Sequence, residues 1–226
     1  MNATAKTTMG AISVRQELAL LGLRPEDLAD AISFGERYRA LCTDNDPRIF
    51  QGTTAWARTL RGLRENKRLV RLGWTKDRTG NFETCVCPDK SYAISVSTGD
   101  KETGKYNPEF PYIQPRLKHP KGIMTKAAVE VNAWLFPDMA ADAKKKADEL
   151  EAVEKRATWI LLVHRDGNLV FAELSLASKF SSGQVEEWKH RIILEPLDVE
   201  PLIDVADDSG DESGEVEVDV PVRRRT

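Results

Sequence analysis

The stretch WILLVHRDGNLVFAELSLA, residues 159–177, predicts two buried strands joined by a tight turn. Asp166-Gly167 suits the two central positions of a type I′ turn, because that turn requires positive φ at both residues. With this turn the numbers of opposed residues sum to 333, which places Glu173 opposite Ile160. Side chains alternate between the faces of a strand, so one face is wholly apolar and the other is apolar except at Glu173.

Strands that are apolar on both faces usually lie at the centre of a sheet, so Glu173 is expected to be desolvated. The first interpretation is an ion pair with Arg191 on the next strand, because a buried charge requires a partner. The alternative is catalytic: metal-dependent nucleases place an acid and a Glu-x-Lys on adjacent strands. Here Ser175 stands where that lysine would be, so the alternative needs Asp100 as the second acid and Lys179 as the lysine.

Outside the hairpin, helical periodicity comes first along the chain and strand periodicity follows. Helices are predicted over 14–23, 25–42, 54–68 with a Thr53-Thr54 cap, and 138–157. Strands are predicted over 68–74, 81–88, 91–100 and 185–199, with turns at Thr79-Gly80-Asn81 and Gly183. The segment 126–136 is compatible with either structure. Residues 99–122, with several prolines and glycines, read as a long loop of the functional or mobile kind.

These elements predict an α+β fold with a mainly antiparallel sheet, N-terminal helices and one long exposed helix packed on it. We expect residues 1–12 to be disordered and residues 13–205 to form one domain. Its helical part is 13–68 and its sheet-rich part is 69–205. Residues 206–226 form a low-complexity acidic tail that is expected to be disordered, because it has too little apolar area to offset the entropy of ordering.

The cysteines and the absence of long apolar runs predict the compartment. Three cysteines, Cys42, Cys85 and Cys87, make an odd count that argues against a disulfide framework and for a reducing cytoplasm. The N-terminal stretch has no apolar run of signal-peptide length, and no segment approaches the roughly 20 apolar residues of a membrane span. A cytoplasmic protein with no membrane partner is expected.

The net charge of −3 hides an asymmetry between the body and the tail. From Glu195 onward there are 11 acidic and 3 basic residues, which leaves 30 basic and 25 acidic residues in 1–194. The tail has three readings: a solubilising extension, a peptide that binds a protein partner, or a mimic of nucleic acid that covers a basic surface.

The basic surface is predicted from a cluster of cations along residues 57–78, opposed there by only Glu65 and Asp77. The candidate nucleic-acid-binding residues are Arg58, Arg61, Arg64, Lys67, Arg68, Arg71, Trp74, Lys76 and Arg78. On one continuous helix Arg61, Arg64 and Arg68 share a face, and such a row neutralises phosphates and releases counterions. Trp74 offers a stacking plane for an unpaired base. The alternative is an ordinary solvated helix face.

Other motifs predict no cofactor, metal or catalytic residue. The stretch STGDKETGK, residues 97–105, approaches the spacing of a phosphate-binding loop, but Tyr106 follows its last lysine where that motif requires Ser or Thr. Cys85-x-Cys87 is one pair of thiols with no second pair, whereas structural zinc takes four ligands. The histidines lie in no motif for a serine or cysteine nucleophile; they are His119, His164 and His190.

The segment AELSLASKFSSGQVEEWKHRIIL, residues 172–194, resembles part of an uncharacterised family of bacterial proteins carried on plasmids, phages and related mobile elements. In that family an E-L-S-L strand is followed by a glycine turn and a W-x-x-R-I-I-L strand. The family usually has proline after E-L-S-L, where Ala177 stands here. The resemblance extends loosely to residues 92–132. It implies a bacterial cytoplasmic origin and no established activity.

Together these observations predict a non-enzymatic accessory protein of a bacterial mobile element that binds nucleic acid through phosphate contacts, with little sequence preference. The first alternative is a metal-dependent nuclease or other hydrolase that uses Glu173 and Asp100. The second is a protein-binding adaptor or inhibitor that works through the 99–122 loop and the acidic tail.

Overall fold

The computed structural model describes residues 5–135 and 156–199, with the backbone alone at residues 134 and 135. The fold is α+β, as predicted, with helices on both faces of an eight-stranded sheet. The helices are α1 (Ala11–Leu20), α2 (Pro25–Ala40), α3 (Phe50–Glu65), α4 (Lys67–Arg71) and α5 (Ile123–Leu135). The strands are β1 (Lys6–Thr8), β2 (Thr75–Asp77), β3 (Thr84–Val86), β4 (Tyr92–Thr98), β5 (Ala157–Asp166), β6 (Leu169–Ser181), β7 (Gln184–Ile193) and β8 (Leu197–Asp198).

The sheet is mixed rather than simply antiparallel. Its strand order is β1-β7-β6-β5-β4-β3-β2, and β8 pairs with the start of β6. The pairs β1/β7 and β4/β5 are parallel, and the other pairs are antiparallel. Parallel neighbours need a crossover connection, and α5 lies in the connection between β4 and β5. The local hairpin signals in the sequence contain no information about such crossovers.

The β5–β6 hairpin forms, but the predicted register is wrong by two positions. Asp166 pairs with Leu169, so Gly167 and Asn168 are the central turn residues and opposed residue numbers sum to 335. Gly167 has φ 59 and Asn168 has no positive φ, which fits a turn that needs glycine at its first central position only. A shift of two residues is one full side-chain period, so each residue keeps its predicted face while its cross-strand partner changes. Glu173 now lies opposite Leu162.

The hairpin supplies the centre of two hydrophobic clusters, one on each face of the sheet. On one face, Leu161 and Leu174 pack in a cluster with residues of α1, α2, α3 and α4, including Leu28 and Leu63. On the other face, Ile160 and Leu162 pack in a smaller cluster that includes Val129 of α5 and Trp188 of β7. The apolar alternation of the quoted stretch is therefore satisfied on both sides, which buries both strands.

The predicted strand over 68–74 is wrong, because this stretch begins as the short helix α4. Asn66, with φ −57 and ψ 116, ends α3 and caps α4. Its side-chain oxygen accepts hydrogen bonds from the amides of Arg68 (3.0 Å) and Leu69 (3.1 Å). The predicted cap at Thr53 is also wrong. Helix α3 starts at Phe50, and the Thr53 hydroxyl donates to the Ile49 carbonyl within it.

The structure corrects or leaves open several predictions near the ends of the described ranges. Residues 6–8, expected to be disordered, form β1 against β7. The ambiguous 126–136 stretch is helical through Leu135. The predicted helix over 138–157 lies almost wholly outside the described residues, but Ala157 begins β5. The acidic tail, 206–226, also lies outside them. In the described ranges, no helix has the length and apolarity that crossing a membrane requires.

Replacing Asn66 with alanine is expected to lower the free energy of unfolding by about 1 kcal/mol, because two helix amides lose their acceptor. Asn66→Asp is the matched control, since aspartate caps helices about as well as asparagine. Urea unfolding followed by tryptophan fluorescence measures both variants. Equal losses in the two variants would contradict the capping role.

Candidate functional site

Glu173 and Arg191 form a fully buried, two-pronged ion pair on the α5 face of the sheet. Glu173 on β6 is 0% exposed, and Arg191 on the neighbouring β7 is 1% exposed. Arg191 Nε donates to Oε1 of Glu173 at 3.0 Å, and Nη2 donates to Oε2 at 2.6 Å. The predicted partnership between these two side chains is confirmed.

The ion pair also holds the loop that follows β4. The amide of Gly104 donates to Glu173 Oε2 at 2.9 Å, and Arg191 Nη2 donates to the carbonyl of Lys105 at 2.9 Å. Gly104 has φ 69, and a Cβ there would lie 2.8 Å from the amide nitrogen of Ala172, so glycine is required for this close approach. One buried pair therefore joins two strands and a loop.

These contacts bear directly on the catalytic interpretation of Glu173. The Ser175 hydroxyl donates to Oε1 at 2.6 Å, so both carboxylate oxygens are held by protein donors inside the core. The carboxylate of Asp100, the suggested second acid, accepts the amide of Glu102 at 3.1 Å within its own loop. Within residues 5–135 and 156–199 there is no group of three or more His, Cys, Asp or Glu side chains arranged to hold a metal ion. Glu173 therefore acts as a structural charge here.

The predicted arginine row is not assembled as one open surface, because α3 ends at Glu65 and Arg68 belongs to α4. Arg64 is largely buried; it lies 2.7 Å from the carboxylate of Glu83 and donates to the carbonyl of Thr84. Arg68 lies 2.6 Å from the carboxylate of Asp27. These two guanidinium groups are engaged by partners within the protein.

The other members of the predicted set divide into engaged and exposed side chains. Arg61 donates to both oxygens of Glu65 at 2.9 Å, and the Arg58 guanidinium lies 4.3 Å from the ring centre of Tyr38. Trp74 is 7% exposed and packs edge-on against Tyr92, so it presents no open stacking plane. The exposed cations of the predicted set are Arg61, Lys67, Arg71, Lys76 and Arg78, and Arg78 lies 3.5 Å from the carboxylate of Glu83.

Lys76 lines a polar pocket at the β2 edge of the sheet, which we call the edge pocket. Its volume is about 200 Å³, and it lies between β2, β3, β4, the start of β5 and α5. Two further cations, Lys90 from the β3–β4 turn and Arg156 next to β5, line it. Four threonines contribute from neighbouring strands and the turn after β2: Thr75, Thr79, Thr84 and Thr158.

The edge pocket has one carboxylate among its described lining residues, Asp77, and that group is already engaged. Arg156 forms an ion pair with it, and Thr79 donates to it through both its amide (2.9 Å) and its hydroxyl (2.7 Å). Burial alone would raise the pKa of Asp77, but these hydrogen bonds and the Arg156 charge together lower it below the ordinary value. Asp77 therefore stays ionised and orients Arg156, and among the described lining residues three cations stand against this one carboxylate.

No protein-family model, curated protein or solved structure matches the chain. The resemblance of residues 172–194 to mobile-element proteins therefore stays a prediction. The edge pocket was missed by sequence reasoning, apart from Lys76. Lys90 and Arg156 come from distant parts of the chain, and only the pairing of β3, β4 and β5 brings them together.

Cys85 and Cys87 are buried free thiols, as expected for packing residues. Burial raises the pKa of the Cys85 thiol to about 11, and burial with the hydrogen bond to Asp89 also raises the pKa of Cys87. Few thiolates exist on either residue at neutral pH, which disfavours reaction and metal binding.

Glu173→Gln is expected to lower the free energy of unfolding by about 3–5 kcal/mol, because it leaves the buried Arg191 charge unpaired. The control is Glu186→Gln, which removes an exposed partner of Lys179 and is expected to cost below about 1 kcal/mol. Replacing Glu173 and Arg191 together by methionine is expected to cost less than the sum of the single replacements. Urea denaturation measures all variants. If Glu173→Gln lowers the free energy of unfolding no more than Glu186→Gln does, the ion pair does not stabilise the fold.

Alkylation with iodoacetamide at pH 8 is expected to label Cys42 first, because it is partly exposed whereas the other two cysteines are buried. Cys85 and Cys87 are expected to react only after denaturant opens the fold. Peptide mass spectrometry over time measures the order. Labelling of Cys85 as fast as Cys42 in the native protein would refute the burial and pKa argument.

Proposed function

We propose that the protein binds nucleic acid through its phosphates, without catalysing a reaction, and that the edge pocket holds one phosphate. The observation that carries this proposal is the gathering of Lys76, Lys90 and Arg156 around a pocket whose lining carboxylate, Asp77, is already paired. Lysine, arginine and threonine are common phosphate-binding side chains. The proposal keeps the predicted ligand and moves the centre of binding from the α3 row to the β2 edge.

Exposed cations around the pocket extend the contact along a phosphate backbone. Lys76 and Lys90 are exposed, and the Arg78 side chain, one residue beyond Asp77, is 62% exposed. Phe82 lines the pocket and is partly exposed, so it takes the stacking role first predicted for Trp74. Contacts to phosphate carry no sequence information directly, and we therefore propose binding with little sequence preference.

The cellular context that we propose is a bacterial mobile element, in the cytoplasm. It rests on the E-L-S-L and W-x-x-R-I-I-L pattern of residues 172–194. Backbone binding with little sequence preference suits an accessory protein that coats or accompanies nucleic acid. In this proposal the acidic tail competes with the nucleic acid for the same cations.

One observation favours a second candidate function, the protein-binding adaptor. The 99–122 loop exposes a cluster of large apolar side chains, Phe110, Tyr112 and Ile113, which are 43%, 72% and 43% exposed. Trp188 donates to the Pro115 carbonyl at 2.9 Å, and Gly104 is tied to Glu173, so the loop is fastened on both sides of this cluster. An adaptor of this kind would show no salt-dependent affinity for nucleic acid.

Binding of a fluorescein-labelled 20-nucleotide single strand, followed by anisotropy from low to moderate salt, tests the proposal. The affinity of the unaltered protein is expected to fall steeply with salt, because bound phosphates release counterions. Lys76→Gln with Lys90→Gln is expected to weaken binding to all sequences alike and to reduce the salt slope by about 1.4, because each phosphate contact on a single strand contributes about 0.7.

Two double variants make the comparison specific to the edge pocket. Lys67→Gln with Arg71→Gln removes exposed cations of α4, and Lys101→Gln with Lys118→Gln removes exposed cations of the 99–122 loop. Both are expected to change the salt slope less than the edge-pocket variant. No binding at low salt, or the largest loss in the α4 variant, would overturn the assignment to the edge pocket.

A further inference from the structure

A second cavity, which we call the β4-end cavity, lies where β4 extends beyond its neighbour β3. The pairing of β3 with β4 stops at Ser95, and beyond it the chain around Leu117, rather than β3, meets Thr98 and Gly99. Helix α3 reaches this edge through Trp56, whose indole nitrogen donates to the Val96 carbonyl at 2.9 Å. The cavity has a volume of about 180 Å³ and opens between α3 and the start of α5.

The Ser97 hydroxyl is a buried polar group without a partner in this cavity. Ser97 is 4% exposed and lines the cavity, and its oxygen has no hydrogen-bond partner among the described residues. A buried hydroxyl in this state destabilises the fold, because it has lost its hydrogen bonds to water and gained none within the protein. Native proteins seldom keep such a group unless something binds it.

Lys121 is the cation of the same cavity, and it is also without a partner in the described part of the chain. Its backbone amide donates to the Gly183 carbonyl at 2.8 Å, which holds the residue beside the β6–β7 turn. Its side chain is half-buried, and burial lowers the pKa of its ammonium group. The other charged group lining the cavity, Glu83, lies 2.7 Å from Arg64 and 3.5 Å from Arg78. The charge of that carboxylate is therefore balanced by two guanidinium groups, while its buried Oε2 accepts no hydrogen bond within the described residues.

The start of α5 adds a third feature that favours an anion. Thr125, in the first turn of this 13-residue helix, lines the cavity. The first amides of a helix have no acceptor within the helix, and the helix dipole places positive charge at this end. The hydroxyl, the ammonium group and the helix start together present hydrogen-bond donors to the cavity.

We propose that the β4-end cavity binds a small monocarboxylate with an apolar body. Lys121 and Ser97 hold the carboxylate, and the body lies against Trp56, Leu117 and Ile160, which line the same cavity. One cation matches one negative charge, and the apolar wall disfavours a fully hydrated ion such as phosphate. The volume is below the roughly 300–1,000 Å³ of sites for drug-sized ligands, so the ligand has the size of an aromatic acid or a short fatty acid.

Isothermal titration with benzoate tests the proposal, with benzamide as the neutral ligand of the same shape and inorganic phosphate as the other anion. Benzoate is expected to bind at least about tenfold more tightly than either comparison, because its carboxylate accepts charge-assisted hydrogen bonds, which are stronger than neutral ones. Lys121→Gln is expected to lower the affinity for benzoate by about tenfold or more. Lys126→Gln, at an exposed position in the first turn of α5, is the matched control and is expected to leave binding unchanged.

Ser97→Ala separates a binding role from a structural role. Removing an unsatisfied hydroxyl is expected to leave the urea midpoint equal or higher, while benzoate affinity falls several-fold. Affinity for benzoate is also expected to fall at alkaline pH, as the free lysine loses its proton through its lowered pKa.

Three results would overturn the proposal. Equal affinity for benzamide and benzoate would mean that the cavity recognises apolar shape alone. Tighter binding of phosphate would assign another ligand class. Benzoate binding that is unchanged in both Lys121→Gln and Ser97→Ala would place the ligand elsewhere. The site shares Phe82 with the edge pocket but uses no cation of it, so nucleic-acid affinity measured in parallel tests the two proposals separately.

Discussion

The rest of the structure depends on the ion pair between Glu173 and Arg191. Bringing two charges out of water costs several kcal/mol for each, and the cost is offset only where geometry and further hydrogen bonds are good. Here the guanidinium meets the carboxylate with two hydrogen bonds, and Ser175 and Gly104 complete the acceptor sites. The pair therefore fixes the positions of β6, β7 and the loop after β4 with respect to one another.

The ion pair fixes the start of the 99–122 loop, and the same stretch of chain leads on to both the edge pocket and the β4-end cavity. The loop returns to the sheet edge, where the Lys118 amide donates to the Thr98 carbonyl, and then leads through Lys121 into α5. Helix α5 contributes Met124 to the edge pocket and Thr125 to the β4-end cavity. At the centre every charge is partnered, whereas at the end of β4 a hydroxyl and an ammonium group have no partner in the described residues, as expected for groups that await a ligand.

The basic stretch shows why a charge pattern is a weak guide to a surface. The prediction that these arginines share one face assumed one continuous helix. Asn66 instead ends α3 and caps α4, so the arginines contact different partners. Arg64 and Arg68 bind carboxylates supplied by Glu83 and Asp27, which are distant in sequence. A local count of charges contains no information about such partners. Of the predicted set, Lys76 lines the edge pocket, and it does so because β2 pairs with β3 at the sheet edge.

The sequence by itself determined the α+β class, the β5–β6 hairpin and the two faces of its strands, and it favoured the Glu173–Arg191 partnership. Each of these follows from side-chain periodicity, turn chemistry or the rule that a buried charge needs a counterpart, and all act over neighbouring strands. Only the tertiary structure decided the hairpin register, the parallel pairs and the composition of the two cavities. These depend on which distant segments meet, and crossover connections such as the one through α5 leave no periodic signal in the chain.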